Sequence, residues 1–499
     1  MKKTARKVMN ITLSIRSLLL FALLLIFAAA SGGCALALRK DSPQAAEVDE
    51  AKIQLARVLS FEETAWPAAG WWRSYNDEQL NSLVSLALQN SPGMAAARAR
   101  VEAAEARARL AGAETGPVIG GMANINRQHL SDAGFLGIFA ENIPALGLTG
   151  PWYTTGTMGL IGSYTFDFWG LERAKVDAAI GMANAAMAEE AQARLVLAAA
   201  VTRAYYGLQA LYAVLELQKE ALGISREVAA AHAARHSRGL EPRTLSELAV
   251  AQKAELEKQI AGTDAAINTS LEMLRALIGL TQPLPEIMPA PLPDVPAALP
   301  QSLGYDLLAH RADLQAARWY IQASLRGVDA AKAAFYPNFD IKVFFGLDAL
   351  HLEDLLQKGS QQFDFIPGLT LPIFDSGRLN ANLAATRAES NLIIEEYNQA
   401  VVNAVFEVAK AGWELTRLEK EIELQKIRLS SMNYAAESAA AHYGTGLIDR
   451  VSALAARLPL IVEEALLLDL RSKRIFAGVD LTMALGGGFY SREDPLAGK

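Results

Sequence analysis

LERAKVDAAIGMANAAMAEEAQARLVLAAAVTRAYYGLQALYAVLELQKEALGISREVAAAHAARHSR, running from Leu171 to Arg238, decides how the rest of the chain is read. It contains no proline and is rich in Ala, Leu, Glu, Gln and Arg, which lose little on entering a helix. At about 1.5 Å per residue it predicts one rod on the order of 100 Å long. An ordinary globular helix has only ~10–14 residues. An aromatic segment precedes the rod, Ser163-Tyr164-Thr165-Phe166-Asp167-Phe168-Trp169-Gly170. The plan then returns. A second aromatic segment, Leu369 to Phe374, ends in Asp375-Ser376-Gly377-Arg378, and a second proline-free helical stretch runs to about Tyr443. A chain that makes two such rods builds a long object rather than a compact enzyme.

Composition agrees. Apolar residues make up 52% and charged residues 20%, so burial is plentiful, and Ala supplies much of it. Small side chains allow helices to approach closely around thin cores. Residues 1–33 hold Lys2, Lys3, Arg6, Lys7 and Arg16 and no acid, so removing them takes the formal charge from −7 to −12. An acidic remainder argues against nucleic acid as a partner. Basic residues followed by the apolar run Leu18–Ala30 predict an export signal, since the run is too short to span a bilayer comfortably. Ser31-Gly32-Gly33-Cys34 follows, and Cys34 is the only cysteine, which rules out an internal disulfide. Small residues before this Cys resemble a bacterial lipobox, which implies lipidation (palmitate among the acyl groups) at Cys34. A plain export signal with an incidental cysteine is the alternative.

Four segments alternate with period two, the pattern of half-buried strands. They lie at about 118–126, 157–168, 338–346 and 362–373. Each has roughly the 9–11 residues of a tilted transmembrane strand, although Pro367 and Pro372 each remove a ladder donor. Four strands cannot close a barrel, and lipid does not tolerate open edges. If the strands span a membrane, several chains must contribute, and three would give twelve. The alternative is a soluble sheet packed on helices.

Helices are predicted at 171–238, 244–278, 376–443 and 451–485, with earlier ones at 80–90, 94–113 and 309–334; residues 35–65 read as a polar, poorly ordered lead-in. Self-similarity sets the domain plan. Phe166-Asp167 corresponds to Phe374-Asp375, Gly239-Leu240 to Gly446-Leu447, and Gly279 to Gly486. The expected order is a signal peptide at 1–33, a first repeat at 34–280, a Pro-rich stiff connector at 281–300, a second repeat at 301–490 and a tail at 491–499.

Five motifs in order resemble one family. They are Gly70-Trp71-Trp72-Arg73-Ser74-Tyr75 with Asp77 and Leu80; His310-Arg311-Ala312-Asp313-Leu314, with Ala312 where the family has Pro; Ala334-Phe335-Tyr336-Pro337; Leu369-Thr370-Leu371-Pro372-Ile373-Phe374-Asp375-Ser376-Gly377-Arg378-Leu379; and Ala484-Leu485-Gly486-Gly487-Gly488. The chain is similar to the TolC-like outer-membrane factors, in the lipoprotein (NodT-type) branch that serves RND efflux systems. The resemblance implies an α+β membrane protein, a homotrimer with a shared 12-stranded transmembrane β-barrel and a long periplasmic α-helical barrel. It implies an outer-membrane location with a lipid anchor, no enzyme activity and no cofactor. The partners it implies are a periplasmic adaptor, an inner-membrane RND-type transporter and the lipid bilayer. A type I protein-secretion duct of the same fold and a non-conducting periplasmic scaffold are the alternatives.

The resemblance also places the sites. Gly239, Leu240, Glu241 and Arg243, with Gly446, Leu447 and Ile448, form helix tips expected to meet the adaptor. Acidic residues past the second tip form a ring in relatives; the nearest positions here, Ser452 and Ala455, lack charge. Asp449 and Arg450 are placed to replace that ring through ion pairs between neighbouring chains, with Ser452 beside them. His232 and His236 are four apart and could share a metal, but no Glu-x-x-His or Cys accompanies them, so they read as solvated residues near a tip. In Gly444-Thr445-Gly446 one glycine is expected to take a left-handed turn conformation rather than to bind phosphate.

Overall fold

A computed structural model describes residues 39–49, 66–134, 137–143, 148–294 and 309–490. Cys34, the export signal, residues 295–308 of the connector region and the tail lie outside the described residues. The helices are α1 (Glu78–Asn90), α2 (Pro92–Glu114), α3 (Leu171–Ser237), α4 (Arg243–Ile278), α5 (Ala312–Ala333), α6 (Arg378–Gly444), α7 (Arg450–Ala455) and α8 (Arg457–Ala484). The strands are β1 (Val118–His129), β2 (Trp152–Phe166), β3 (Asn338–Ala349) and β4 (Gln361–Thr370), beside short 3-10 turns and a two-residue bridge. The two rods, α3 and α6, each have 67 residues. The chain forms two compact units. One gathers Ala103–Ala183 and Tyr320–Ile394 with the segment ending at Ala45; the other holds Ala46–Glu102, Asn184–Trp319 and Glu395 onward.

The first unit contains one four-stranded sheet in the order β1-β2-β3-β4, antiparallel throughout. Its first hairpin is longer than the alternation predicted: β1 continues to His129 and β2 begins at Trp152. The added residues Trp152-Tyr153-Thr154-Thr155 are strong strand formers hidden beside a Gly- and Pro-rich loop. β4 stops at Thr370, before Pro372. Pro367 stays inside β4, opposite Ile341.

Cross-strand partners share a face of the sheet. One face therefore carries Ile119 and Ile125 on β1, Met158, Leu160 and Tyr164 on β2, Ile341, Val343 and Phe345 on β3, and Phe363, Phe365 and Leu369 on β4. Most of these are exposed in the single chain, Ile119 at 73% and Phe345 at 65%. The opposite face is largely polar, carrying Asn124, Asn126, Thr155, Thr157, Ser163, Asp340, Lys342, Asp348, Gln362 and Asp364, with Ile161, Phe344 and Ile366 as an apolar patch within it. Aromatic groups mark both ends of the apolar band. At one end the Arg127 guanidinium lies 5.5 Å from the Trp152 ring, and His129 packs edge-on to the same ring. At the other, Trp169 stacks on Tyr336 and its indole N–H donates to the Pro337 carbonyl at 2.8 Å. An apolar band between aromatic ends, with a polar opposite face, is the pattern of a membrane barrel wall.

The lead-in is not loose where it is described. Lys40 and Ala45 N–H donate to the side-chain carbonyls of Asn380 and Asn391, and Asp41 pairs with Arg387 and Lys332. In the second unit Val48 N–H donates to Asn398 Oδ1, and Asn398 Nδ2 donates back to the Ala46 carbonyl. Asparagines on α6 thus act as a surrogate strand for an extended chain. That role is invisible to a composition reading of residues 35–65.

The second unit contains the Gly70–Tyr75 motif. Trp71–Tyr75 forms a 3-10 turn, and Trp71 enters a core with Leu80, Leu83, Val84, Tyr205, Tyr206, Leu208 and Leu274. Asp77 caps α1 by accepting from Leu80 N–H at 3.1 Å, and it also accepts the Tyr205 hydroxyl at 2.7 Å. Burial pushes the Tyr75 phenol up to about 12 and raises Tyr206 also. The described part of the connector is pinned rather than free. Gln79 donates to the Met288 carbonyl and accepts its N–H, while Gln209 donates to Met288 and accepts from Ala290. Arg311 is buried and bonds Asp313, Glu407 and the Ala484 carbonyl. A Cβ at Gly486 would lie 1.8 Å from the His310 carbonyl oxygen, so the C-terminal glycines let the chain close against the His310-Arg311 motif.

Candidate functional site

Both rods end in the same turn. At the first, Gly239 N–H donates to the His236 carbonyl and Leu240 N–H to the Arg235 carbonyl, both at 2.9 Å. At the second, Gly446 N–H donates to Tyr443 and Leu447 N–H to His442, again at 2.9 Å. These are paired C-terminal caps that need a left-handed residue. Gly239 has φ 72° and Gly446 has φ 77°, whereas Gly444 is the last residue of α6. Leu240 and Leu447 are more than two-thirds exposed. Each turn thus presents an apolar side chain at its apex.

The charged residues are already engaged within one chain. Arg235 reaches Glu241 at 2.8 Å and Asp449 at 2.9 Å, joining the two tips. Asp449 also caps α7, accepting Ser452 N–H at 2.7 Å. The Ser452 amide and hydroxyl, then Arg235, hold the Asp449 carboxyl down at about 2. Glu241 is held below its usual range by Arg235 and then His232. Arg450 pairs with Glu227, and one helical repeat on, Arg457 pairs with Glu220, both at 2.6 Å. Within one chain, Asp449 and Arg450 each bind α3, through Arg235 and Glu227. Arg243 pairs with Glu247 of its own helix. Ile448 is half-buried.

His232 is partly buried and held by the first tip. Its Nδ1 lies 2.6 Å from the Glu241 carboxylate, and His236 Nδ1 donates to the Glu241 carbonyl at 3.1 Å. The two rings bracket one residue, and no three-residue metal cluster occurs among the described residues. Arg235 is the hub that the sequence reading missed. Its only sequence signal was its place in the last turn before Gly239, where a cation suits the helix end.

The second return helix is broken where the first is continuous. α4 runs unbroken from Arg243, whereas α7 ends at Ala455 and α8 starts at Arg457. Pro459 explains this, since it lacks the N–H that would bond the Ala455 carbonyl and its ring crowds that oxygen. The single helix expected over 451–485 is therefore two. Below the tips, Ala221, Ile224, Val228, Ala229, Ala249 and Ile461 form a thin core of mostly small residues.

Sheet face, paired rods and capped tips give the frame for comparison. The sequence model described as outer membrane efflux protein matches residues 83–280 and 303–487. The chain belongs to the outer membrane efflux protein family. A relative named multidrug resistance outer membrane protein MdtP, from Escherichia coli O6:H1, is 45% identical over 92% of this efflux protein and 94% of its own length. The multidrug resistance outer membrane protein MdtQ of Escherichia coli O157:H7 is 40% identical over 91% of this chain and 93% of its own length. The outer membrane protein VceC of Vibrio cholerae superposes with a TM-score of 0.73 at 31% identity, covering 85% of this chain and all of that one. The CmeC outer membrane channel of Campylobacter jejuni, at 21% identity, shares the fold with a TM-score of 0.78 over 93% and 97%. The chain is thus an outer-membrane efflux channel component with a TolC-like α+β fold. Its two matched segments fall on the two sequence repeats, and the matched class is one of channels rather than of enzymes.

Proposed function

We propose that three copies of this efflux protein form a passive duct through the outer membrane. It would receive small molecules from an inner-membrane RND-type transporter by way of a periplasmic adaptor. The sheet carries the reading: four membrane-length strands with one apolar face and two edges that no strand among the described residues covers. Lipid-exposed edges are not tolerated, and three copies would close a barrel of twelve strands, an even number as in known single-chain barrels. The duct needs no energy source of its own, because the transporter supplies it.

The tips are the adaptor surface in this reading. Leu240 and Leu447 offer apolar contacts flanked by Gly239, Glu241, Arg243, Gly446 and Ile448. Asp449, Arg450 and Ser452, with Arg235, hold the tips at rest and form the gate. Cys34 carries the lipid anchor, and the helical rods extend into the periplasm. The similarity to MdtP and MdtQ supports drugs or other toxic compounds as cargo.

Two measurements test this together. Purified mature protein should migrate as a trimer and conduct ions in planar bilayers; a stable monomer that never conducts would end the reading. A strain lacking the protein should become drug-sensitive and be rescued by the wild type. The double variant Leu240→Asp/Leu447→Asp should fail to rescue while conducting normally in bilayers. Full rescue by that variant would remove the tips from adaptor binding.

A further inference from the structure

A channel barrel keeps its lumen side polar, and the polar face of this sheet obeys that rule except at the patch of Ile161, Phe344 and Ile366. Ile161 lies directly opposite Phe344, and Phe344 lies opposite Asp364, two positions before Ile366 on β4. Ile161 is 44% exposed and Ile366 56%. The three border a recess of about 350 Å³, whose other lining residues include Val118, Ser163 and Lys342. A single exposed isoleucine needs no explanation, but a group that shares one concavity marks a contact surface.

The backbone is shaped to hold the ring of Phe344 there. Gly159 and Gly346 face each other across β2 and β3. A Cβ at Gly159 would lie 2.9 Å from the Phe344 ring, and one at Gly346 2.8 Å. Two facing glycines therefore let the ring lean along the wall instead of standing out into the lumen. The recess lies on the other side of Phe344, towards Ser163, Lys342 and Ile366.

Charge decides what fits. Among the described residues Lys342 is the one charged group lining the recess, and its ammonium lies 4.0 Å from Asp340. Asp364 accepts the Gln362 amide at 2.8 Å and does not line the recess. A charged molecule would lose water here and meet no unpaired opposite charge. An uncharged ring loses little and gains contact with an aromatic and two aliphatic side chains. We propose that each subunit carries, on the lumen wall, a binding site for an uncharged aromatic molecule, seated on Ile161, Phe344 and Ile366 with the Ser163 hydroxyl as its polar contact. This rests on the duct reading and deepens it by naming a class of cargo that pauses on the wall on its way out.

Phe344 and Phe345 are neighbours on opposite faces of the sheet, which makes them matched reporters. Para-fluorophenylalanine is placed at one or the other in the full mature protein in lipid nanodiscs, and alpha-naphthol is titrated while the fluorine NMR shift is read. The label at Phe344 should shift saturably. The label at Phe345, on the apolar face, should follow only the linear partition of naphthol into lipid. Ile161→Ser/Ile366→Ser should weaken binding about tenfold or more, with trimer and ion conductance retained. Benzoate and phenyltrimethylammonium should bind at Phe344 about tenfold more weakly than naphthol, or weaker still. An absent saturable shift at Phe344, in protein that is trimeric and conducts ions, overturns the site and leaves the duct standing. Tighter binding of phenyltrimethylammonium, lost in Asp364→Asn, refutes the uncharged cargo class. Loss of the trimer in Ile161→Ser/Ile366→Ser means that a companion chain covers the patch, which also removes the site. A stable monomer that never conducts sinks the duct reading itself, and the lumen assignment with it.

Discussion

Arg235 shows how one side chain can hold two segments that are 214 positions apart in sequence. Its guanidinium spans Glu241 of the first tip and Asp449 of the second. Exposed ion pairs are individually weak, but here the second carboxylate also caps a helix, so losing the arginine frees a cap as well as a charge. Arg235→Ala should raise single-channel conductance in planar bilayers, and Arg450→Glu, which sets two acids side by side at Glu227, should do so too. Unchanged conductance in both would exclude these residues from the gate. The pH response has a fixed sign. Asp449 is held at about 2, below its ordinary 3.8, so its contribution is complete above the ordinary value and is lost as pH falls towards 2. Conductance should be flat between about pH 5 and 8 and rise only below about 4; a rise centred near neutrality would place control on another group. Little of this was legible beforehand. Asp449 and Arg450 stood out as turn charges, but which charges they meet depends on how α3 lies against α7.

At the scale of elements, the rods followed from propensity and the absence of proline, because local terms dominate when nothing interrupts a helix for 67 residues. Pro459 is the counter-case, since its effect on the last helix is local and could have been read from the sequence. Pro459→Ala should join α7 to α8, raising helix content by circular dichroism and shifting thermal stability. Unchanged spectra would mean that the break is set by the Asp449 cap instead. The lead-in escaped for a different reason. Polar residues such as Lys40, Asp41 and Gln44 carry no periodicity of their own, and their order comes from Asn380, Arg387, Asn391 and Asn398 on a helix more than 300 positions away. No window of sequence contains both halves of that contact.

For the whole molecule, the decisive property is that the sheet's two faces differ. Phe345→Arg places a cation on the apolar face, where a barrel midplane charges about 2–4 kcal/mol for Arg. Asp364→Asn changes only the polar face. The first variant should fail to accumulate as heat-stable oligomer in outer-membrane fractions, while the second should assemble normally. Equal assembly of both would remove lipid from the apolar face.

The sequence by itself determined the rods, the four alternating segments, the duplicated plan and the family, because periodicity, propensity and motif order are properties of neighbours along the chain. Only the tertiary structure decided the sheet's pairing register, the Arg235 link between tips and the docking of residues 39–49. These join groups far apart in sequence, and their energies depend on distances that no local pattern encodes.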